Sequence, residues 1–416
     1  MKKFLGTSLL ILAAYGTAAS ADTVRYTCQQ TASDKVLCDW YDQRFEELTG
    51  HKAERVDWPW QSDQQLSILQ QQFAAKSGDI DVIMVDVVWP GMMASNLLDL
   101  SPYVSEEERA QHIPVYIENN TVGGELKAIP YLMDTGLMFY RTDLLEKYGK
   151  EVPTTWEELT ATAKEIMDAE RAEGNDKMWG FVFQGKAYEG LSCDALEWVA
   201  SFNGGGVVDA EGNITINNPE AAAALDMAGA WVGTIAPEGV LSYTEEESRQ
   251  LFQAGNSVFH RNWTYVWSKS NEDDSPVKGK VGLAPNPHGP GGISASTLGG
   301  WSFAVNKYSN IPDAAVAFAK FASSEEAQLK RYELVGNWPT LPALYEKPEL
   351  AEAKKFLPIF EAAVVRPSTP TKSQYNRVSN EFWNAAFGVL SGKNDGTKAV
   401  ADLEKRLDRV KKGGWE

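Results

Sequence analysis

Apolar residues recur along this chain with two alternating periods. Residues 24–28 read as a first strand. Leu37, Tyr41, Phe45 and Leu48 then fall at i, i+4, i+8 and i+11, one face of a helix that Gly50 ends. Val82-Ile83-Met84-Val85 is an unbroken apolar run, as expected for a strand of a parallel sheet covered on both faces. Thr155-Trp156-Glu157-Glu158 forms a capping box, and Leu159, Ala163, Ile166 and Met167 mark the inner face of the helix behind it. Residues 179–183 look like another strand. Asp209-Ala210-Glu211-Gly212-Asn213 is a turn that lacks the spacing and terminal Glu of a calcium loop. Asp313 opens a helix running through Phe318, Phe321 and Ala322 toward Gly336, with Ser323-Ser324 as its weak point. A charged amphipathic helix follows from Lys398. Strands and helices alternate throughout, which predicts an α/β fold. The 416 residues suffice for two or three domains, yet no repeat and no clean linker divides them.

The N-terminus has the pattern of an address. Lys2 and Lys3 precede a mostly apolar stretch, and Ala19-Ser20-Ala21 is a small-x-small cleavage signal. The stretch is too short to span a bilayer, and no later segment offers a comparable run. Residues 1–21 are therefore expected to be a signal peptide cut after Ala21, leaving a mature chain outside the cytoplasm. No Cys follows the cut, so no lipid anchor is expected. An oxidising compartment permits a disulfide. Cys28 and Cys38 are the expected pair, with Cys193 buried and free; the alternative is three unpaired thiols.

Charge and motifs remove whole classes of function. Asp and Glu number 57 against 39 Lys and Arg, a formal charge of −18. Phosphate binding needs cationic density, so nucleic acid and anionic lipid are poor partners. There is no GxxxxGK[ST], no GxGxxG between strand and helix, no HExxH, no CxxC and no GxSxG. The four histidines are scattered, at positions 51, 112, 260 and 288. No metal and no cofactor is expected.

What remains is a set of carboxylates and rings at strand ends. Asp86 follows the apolar run directly, and Asp134 follows Ala128-Ile129-Pro130-Tyr131. In open α/β sheets ligands bind at the carboxyl ends of strands. Trp263, Tyr265 and Trp267 follow a strand-like Val258-Phe259, and Trp301 follows Gly299-Gly300. Singly, such a Trp is core and such an Asp a cap or turn. Together they suit a neutral polyol: carboxylates accept from hydroxyls, rings cover the apolar face of a pyranose, and glycine admits the backbone.

At these residues the chain resembles the sugar-binding proteins of ABC importers, and among them the trehalose/maltose-binding proteins. The likeness covers nearly all of the mature chain. It is most specific at 180–194, 259–267, 273–282 and 297–301, with 81–89 and 136–145 adding to it. It implies a periplasmic-binding-protein fold of two α/β lobes, joined by a hinge and enclosing a ligand cleft. The N-terminal lobe would take 22–132 and 302–337, and the C-terminal lobe 133–301 and 338–416. It also implies a monomer without catalysis, whose partners are a small sugar and the membrane permease subunits of an importer. An α-linked disaccharide such as trehalose, maltose or sucrose is the expected ligand.

The site residues follow from the same resemblance. Asp34 matches a family Glu in the turn before the first helix, and Asp86 and Asp134 match acids that bond sugar hydroxyls from the two lobes. Trp263 and Tyr265 match the ring-facing pair of an Asn-Trp-Pro-Tyr motif, in which Thr264 here replaces Pro. Gly299, Gly300 and Trp301 match the segment beside the hinge, with Trp301 stacking, and Arg366 matches an Arg that reaches a hydroxyl. Four further candidates are weaker. Trp60 extends Trp58-Pro59 into an aromatic wall. Gln61 and Gln65 lie where the family's Thr and Arg contacts are not reproduced. Tyr131 adjoins Leu132, which stands where a relative has a sugar-contacting Tyr, although strand alternation would turn Tyr131 elsewhere. The rival readings are a secreted glycoside hydrolase, which also needs paired carboxylates, and a binder of a charged sugar derivative held by Arg261 and Arg366.

Overall fold

Two sheets meet where the chain passes through Gly136. The computed structural model describes residues 21–29, 32–59 and 62–415. The expected signal segment up to Ser20, and the candidates Trp60 and Gln61, lie outside the described residues. The strands are β1 (Thr23–Gln29), β2 (Lys52–Trp58), β3 (Val82–Asp86), β4 (Thr121–Val122), β5 (Glu125–Leu126), β6 (Ile129–Thr135), β7 (Leu137–Arg141), β8 (Trp179–Val182), β9 (Ser257–Asn262), β10 (Val281–Ala284) and β11 (Leu298–Val305). A five-stranded sheet has the order β2-β1-β3-β11-β6, a four-stranded sheet the order β10-β7-β9-β8, and β4 pairs with β5 alone.

Directions decide where a site can form. β1, β2 and β3 are parallel, while β11 runs against both β3 and β6. The carboxyl ends of β1, β2, β3 and β6 and the start of β11 therefore share one edge. In the second sheet β8 and β9 are parallel, and β7 runs against β9 and β10. Leu137 opens β7 opposite Asn262 at the end of β9. Only Gly136 separates β6 from β7, so the two edges adjoin.

Local chemistry accounts for the elements. All four residues of the apolar run 82–85 are buried in β3. Its neighbours are parallel β1 and antiparallel β11, so the sheet is mixed where the run alone suggests a parallel one. The helix Ala32–Thr49 buries Leu37, Tyr41 and Phe45, with Tyr41 and Phe45 edge-on to Phe318 of the helix Pro312–Ala322. Leu48 keeps the helical phase but is 53% exposed, because the last turn outruns this cluster. Gly50 ends the helix with φ +76°, a conformation glycine adopts without a Cβ penalty. The Thr155–Glu158 capping box is formed in both directions. The helix after Asp313 breaks at Ser323-Ser324, where the Ser324 hydroxyl caps the helix Glu325–Val335. The last helix, Gly396–Lys411, starts two residues before Lys398 because Asp395 caps it.

The crossings between lobes differ from those expected after 132 and 301. Those points fall inside β6 and β11, where Met133 and Asp134 pair with Gly300 and Gly299 and so stay in the five-stranded sheet. The segment after 337 also differs. Met133 N–H donates to the Trp338 carbonyl (2.9 Å) and Ile113 N–H to that of Thr340 (3.0 Å). Phe356 and Phe360 pack on Trp338, which binds this stretch to the first sheet. Only later do the helices Tyr375–Leu390 and Gly396–Lys411 pack against Glu189–Ser201 and Pro219–Trp231, beside the second sheet.

Cys28, at the end of β1, is bridged to Cys38 in the following helix, and Cys193 is a buried free thiol. Thiol titration of denatured protein is expected to find a single reactive group before reduction and all three afterwards. Three groups before reduction would overturn the bridge.

Candidate functional site

The shared edge gathers acids and indoles by register. Trp301 stands between Asp86 on β3 and Leu132 on β6, and Gly299 stands opposite Asp134. Trp301 is half-buried and meets the buried ring of Trp89 edge-on, at 5.5 Å and 83°. Gly300 has φ +116°, and a Cβ there would lie 2.7 Å from the Leu132 carbonyl and 2.8 Å from the Tyr116 ring, so glycine is needed. The Tyr116 hydroxyl accepts from the Asp134 N–H (3.1 Å) and lies 2.9 Å from the Gly299 carbonyl, to which it donates. One buried phenol thus ties the two strands that carry the site.

Each acid is anchored through one oxygen. Asp134 Oδ1 accepts from Thr135 N–H (3.0 Å), Thr264 N–H (2.8 Å) and the Thr264 hydroxyl (2.8 Å). Burial still pushes its carboxyl up from 3.8 to about 6, since those bonds only partly offset desolvation. Asp86 Oδ1 accepts from Val88 N–H (3.1 Å) and from Arg366 (3.1 Å). Burial holds it above its ordinary value despite the arginine. Each Oδ2 remains as an acceptor.

Two buried arginines balance further acids. Arg366 reaches Glu189 at 2.6 Å with one nitrogen and Asp86 with the other. Glu189 also accepts from Tyr375 and from Ser379 (2.5 Å). Arg366 therefore braces acids with both terminal nitrogens. Arg261, at 1% exposure, makes a two-pronged pair with Glu197 (2.6 and 2.8 Å) and meets Asp194 at 2.8 Å. Glu197 also accepts from Thr297 N–H (2.9 Å) and Asn286 (3.1 Å). Gly136 passes this network so closely that a Cβ would lie 2.0 Å from Glu197 and 2.3 Å from Arg261. The Arg261 guanidinium also covers the half-buried Trp263 ring at 4.4 Å. A Cβ on Gly299 would stand 2.7 Å from that ring.

The other candidates separate from this cluster. Tyr131 falls at a bulge, because Trp301 pairs with Leu132 and Ser302 with Pro130. Its ring stacks on Phe303 (4.2 Å) under Arg331 (4.0 Å), among the helix-side core residues, so it is not part of the cluster. Gln65 is buried in the helix Ser62–Ala74 and donates to the Pro59 carbonyl (2.7 Å), bracing a loop. Asp34 lies in the first turn of its helix and not in the turn before it; it is buried at the β1 end of the edge, beside Tyr41 and Tyr131. Tyr265 is half-buried, and its hydroxyl donates to Glu246 (2.7 Å).

Trp89, Tyr116, Glu189, Asp194 and Glu197 carry no role in the sequence reading. For Asp194 and Glu197 no sequence signal was decisive: they stand three apart in a largely apolar helix, and it is the uninterrupted burial of residues 190–199 that shows both acids to require a partner. Among the described residues no group of His, Cys, Asp and Glu could hold a metal ion, and no helix is long and apolar enough to cross a membrane.

Two α/β lobes whose adjoining sheet edges present anchored carboxylates and half-buried indoles define a two-lobe binding protein. The sequence pattern of the bacterial extracellular solute-binding protein family matches residues 32–329. A Deinococcus radiodurans protein named "Probable ABC transporter-binding protein" is 42% identical over 421 residues, covering all of both chains. The chain belongs to the bacterial extracellular solute-binding protein family and is a solute-binding protein of the ABC-importer class. The structure of T. maritima MalE3 with maltose bound has a TM-score of 0.86 at 38% identity, over 94% of this chain and 100% of that one. The GacH receptor of Streptomyces glaucescens, solved unliganded and with acarbose, shares the fold: TM-score 0.81, 24% identity, 94% and 98% coverage. The family consists of extracytoplasmic binding proteins, not enzymes.

Arg261→Met is expected to cost about 3–5 kcal/mol in denaturant unfolding, because two acids stay buried without their counter-charge. A loss near zero would show that Asp194 and Glu197 do not depend on it.

Proposed function

We propose that this protein captures an α-linked disaccharide of the trehalose, maltose or sucrose type between its lobes and delivers it to the permease of an ABC importer. The observation that carries this reading is the pair Asp86 and Asp134, each with one oxygen anchored and one left over, beside the half-buried rings of Trp301 and Trp263. Carboxylates of this kind accept from a hydroxyl-rich ligand without transferring a proton. The full-length likeness to a maltose-bound protein supports the sugar class. In this reading the five-stranded sheet with 338–361 is the first lobe, the four-stranded sheet with the last two helices is the second, and Gly136 lies in the hinge. Asp34 extends the row of acceptors at the β1 end, Tyr265 supports the Trp263 turn, and Gly299 and Gly300 let the ligand approach β11. The mature chain is exported, cut after Ala21 and acts as a monomer. A sugar that bonds both lobes stabilises the closed state by its differential contacts.

A charged sugar derivative is the weaker reading. The two arginines that would attract it each already sit between two acids.

Calorimetry and thermal shift on residues 22–416 test the proposal with trehalose, maltose, sucrose, maltotriose, glucose and a sulfonated sugar. Tight binding of one disaccharide, with a raised melting temperature, is expected. Silence toward every neutral sugar would refute it. Asp134→Ala and Trp301→Ala are each expected to weaken binding roughly 10- to 150-fold at unchanged circular dichroism.

Acidity separates ligand affinity from apo stability. Asp134 accepts best when ionised, so affinity is expected to fall as pH drops through about 6. Stability has the opposite sign. A carboxyl raised in the folded state binds its proton more tightly there, so the apo protein loses stability as pH rises from about 4 to about 6. Asp134→Asn should flatten both profiles and make the apo protein the more stable one above pH 6, as calorimetry across pH would read; unchanged profiles would remove Asp134 from this role.

A further inference from the structure

Thr264 is fully buried at the turn after β9, yet both its donors leave the second sheet and end on a carboxylate of the first. Leu137 pairs with Asn262, so this link lies two residues beyond the start of that pairing, beside Gly136. We propose that Thr264 is the positioning residue of the ligand site: its N–H and hydroxyl hold Asp134 Oδ1, turn Oδ2 toward the ligand and join the two lobes at the hinge. The inference rests on the binding role proposed above for Asp134.

The geometry supports an active part for both donors. Each Thr264 bond is 2.8 Å, shorter than the 3.0 Å bond from Thr135 on the same strand as the acid. Bonds to an ionised acceptor are the strong ones, and two on one oxygen fix the plane of the carboxylate. The charged and titratable groups packed around Asp134 are few. Arg261 on β9 is balanced by Asp194 and Glu197 of the helix Glu189–Ser201. The Tyr116 phenol faces it from the helix Pro114–Asn120. Glu245 stands against Tyr188 and Trp263, and Tyr265 is bonded to Glu246. β11 presents only Gly299, Gly300 and Trp301 here. Among the described residues no cation bonds the Asp134 oxygens directly, so from the second lobe the Thr264 donors are the foremost groups that favour its ionised form, ahead of the charge of the neighbouring Arg261.

Thr264 can be probed cleanly. Its φ of −56° lies within the range of proline, so Thr264→Pro removes both donors without forcing φ. Thr264→Val removes the hydroxyl alone, and Thr264→Ser keeps both donors.

The experiment is a double-mutant cycle of Thr264→Val and Asp134→Asn, read first without ligand as melting temperature from pH 4.5 to 8. Thr264→Val is expected to lower the melting temperature more at pH 8 than at pH 4.5, because the ionised acid loses the stronger bond. The difference should vanish in the Asp134→Asn background, and Thr264→Ser should restore wild-type behaviour. The second reading is maltose and trehalose affinity by calorimetry. The pH at which affinity falls should move up by roughly one unit in Thr264→Val, with about tenfold weaker binding at pH 7, and further in Thr264→Pro. A loss of melting temperature that is equal at every pH, or that persists beside Asp134→Asn, would overturn the role of Thr264. If the wild type binds neither sugar, the disaccharide reading fails while the ligand-free cycle still decides the role of Thr264.

Discussion

The buried pairing of Arg261 with Asp194 and Glu197 is the constraint on which the meeting of the two sheets depends. A guanidinium at 1% exposure is tolerable only with its charge matched and its donors used. Here the acids come from the helix Glu189–Ser201 and the arginine from β9, so helix and strand are clamped at one point. Everything passing that point must fit around it. Gly136 is small because Glu197 and Arg261 leave no room for a side chain. Thr297 donates its N–H to Glu197 just before β11 begins, which sets where β11 enters the first sheet. The same guanidinium covers Trp263, so one network fixes the crossing, the start of β11 and an indole of the edge.

The acids and rings of the edge are held in place by groups that bond or pack against them. Tyr116 ties β6 to β11 through a single hydroxyl, Trp89 supports Trp301, and Thr264 and Arg366 each hold one carboxylate oxygen. Fixing acceptors beforehand lowers the ordering cost of binding. It also has a cost, since Asp134 sits in surroundings that resist its charge. Binding sites commonly trade stability for a poised group in this way.

Local signals made much of the fold legible. Four consecutive apolar residues mark β3, a Thr and a Glu three apart mark a helix start, and Gly50 marks a helix end. What stayed hidden depends on residues far apart in the chain. The antiparallel return of β11 between β3 and β6 has no local signature, so the sheet reads as parallel. Gly136 is hemmed in by side chains some 60 and 125 residues further along, a constraint that no local pattern around it announces. In the candidate site, the placing of Asp86, Asp134 and Trp301 on one edge was legible because strand ends are recognisable positions, and register brings them together. Tyr131 was legible in part: strand alternation already turned it away, while the bulge at its position has no local signature. Tyr116 was not legible, because its part is played by one hydroxyl reaching two strands. The pairing of Arg366 with Asp86 joins residues 280 apart, a separation no motif spans.

The balanced arginines have a kinetic consequence. The chain carries a formal charge of −18, a field that extends well beyond its surface at low salt. At the edge itself, Arg366 and Arg261 are each already flanked by two acids and project no free positive charge outward. A neutral solute of the kind proposed here feels none of that long-range field. It arrives by diffusion alone, at a rate that ionic strength leaves untouched. A membrane partner with charge of its own feels all of it. With such a neutral solute, salt would act on the two halves of the transport cycle unequally: solute capture would keep the same pace in dilute and concentrated media, while the meeting with a charged membrane partner would speed or slow with the ions around it.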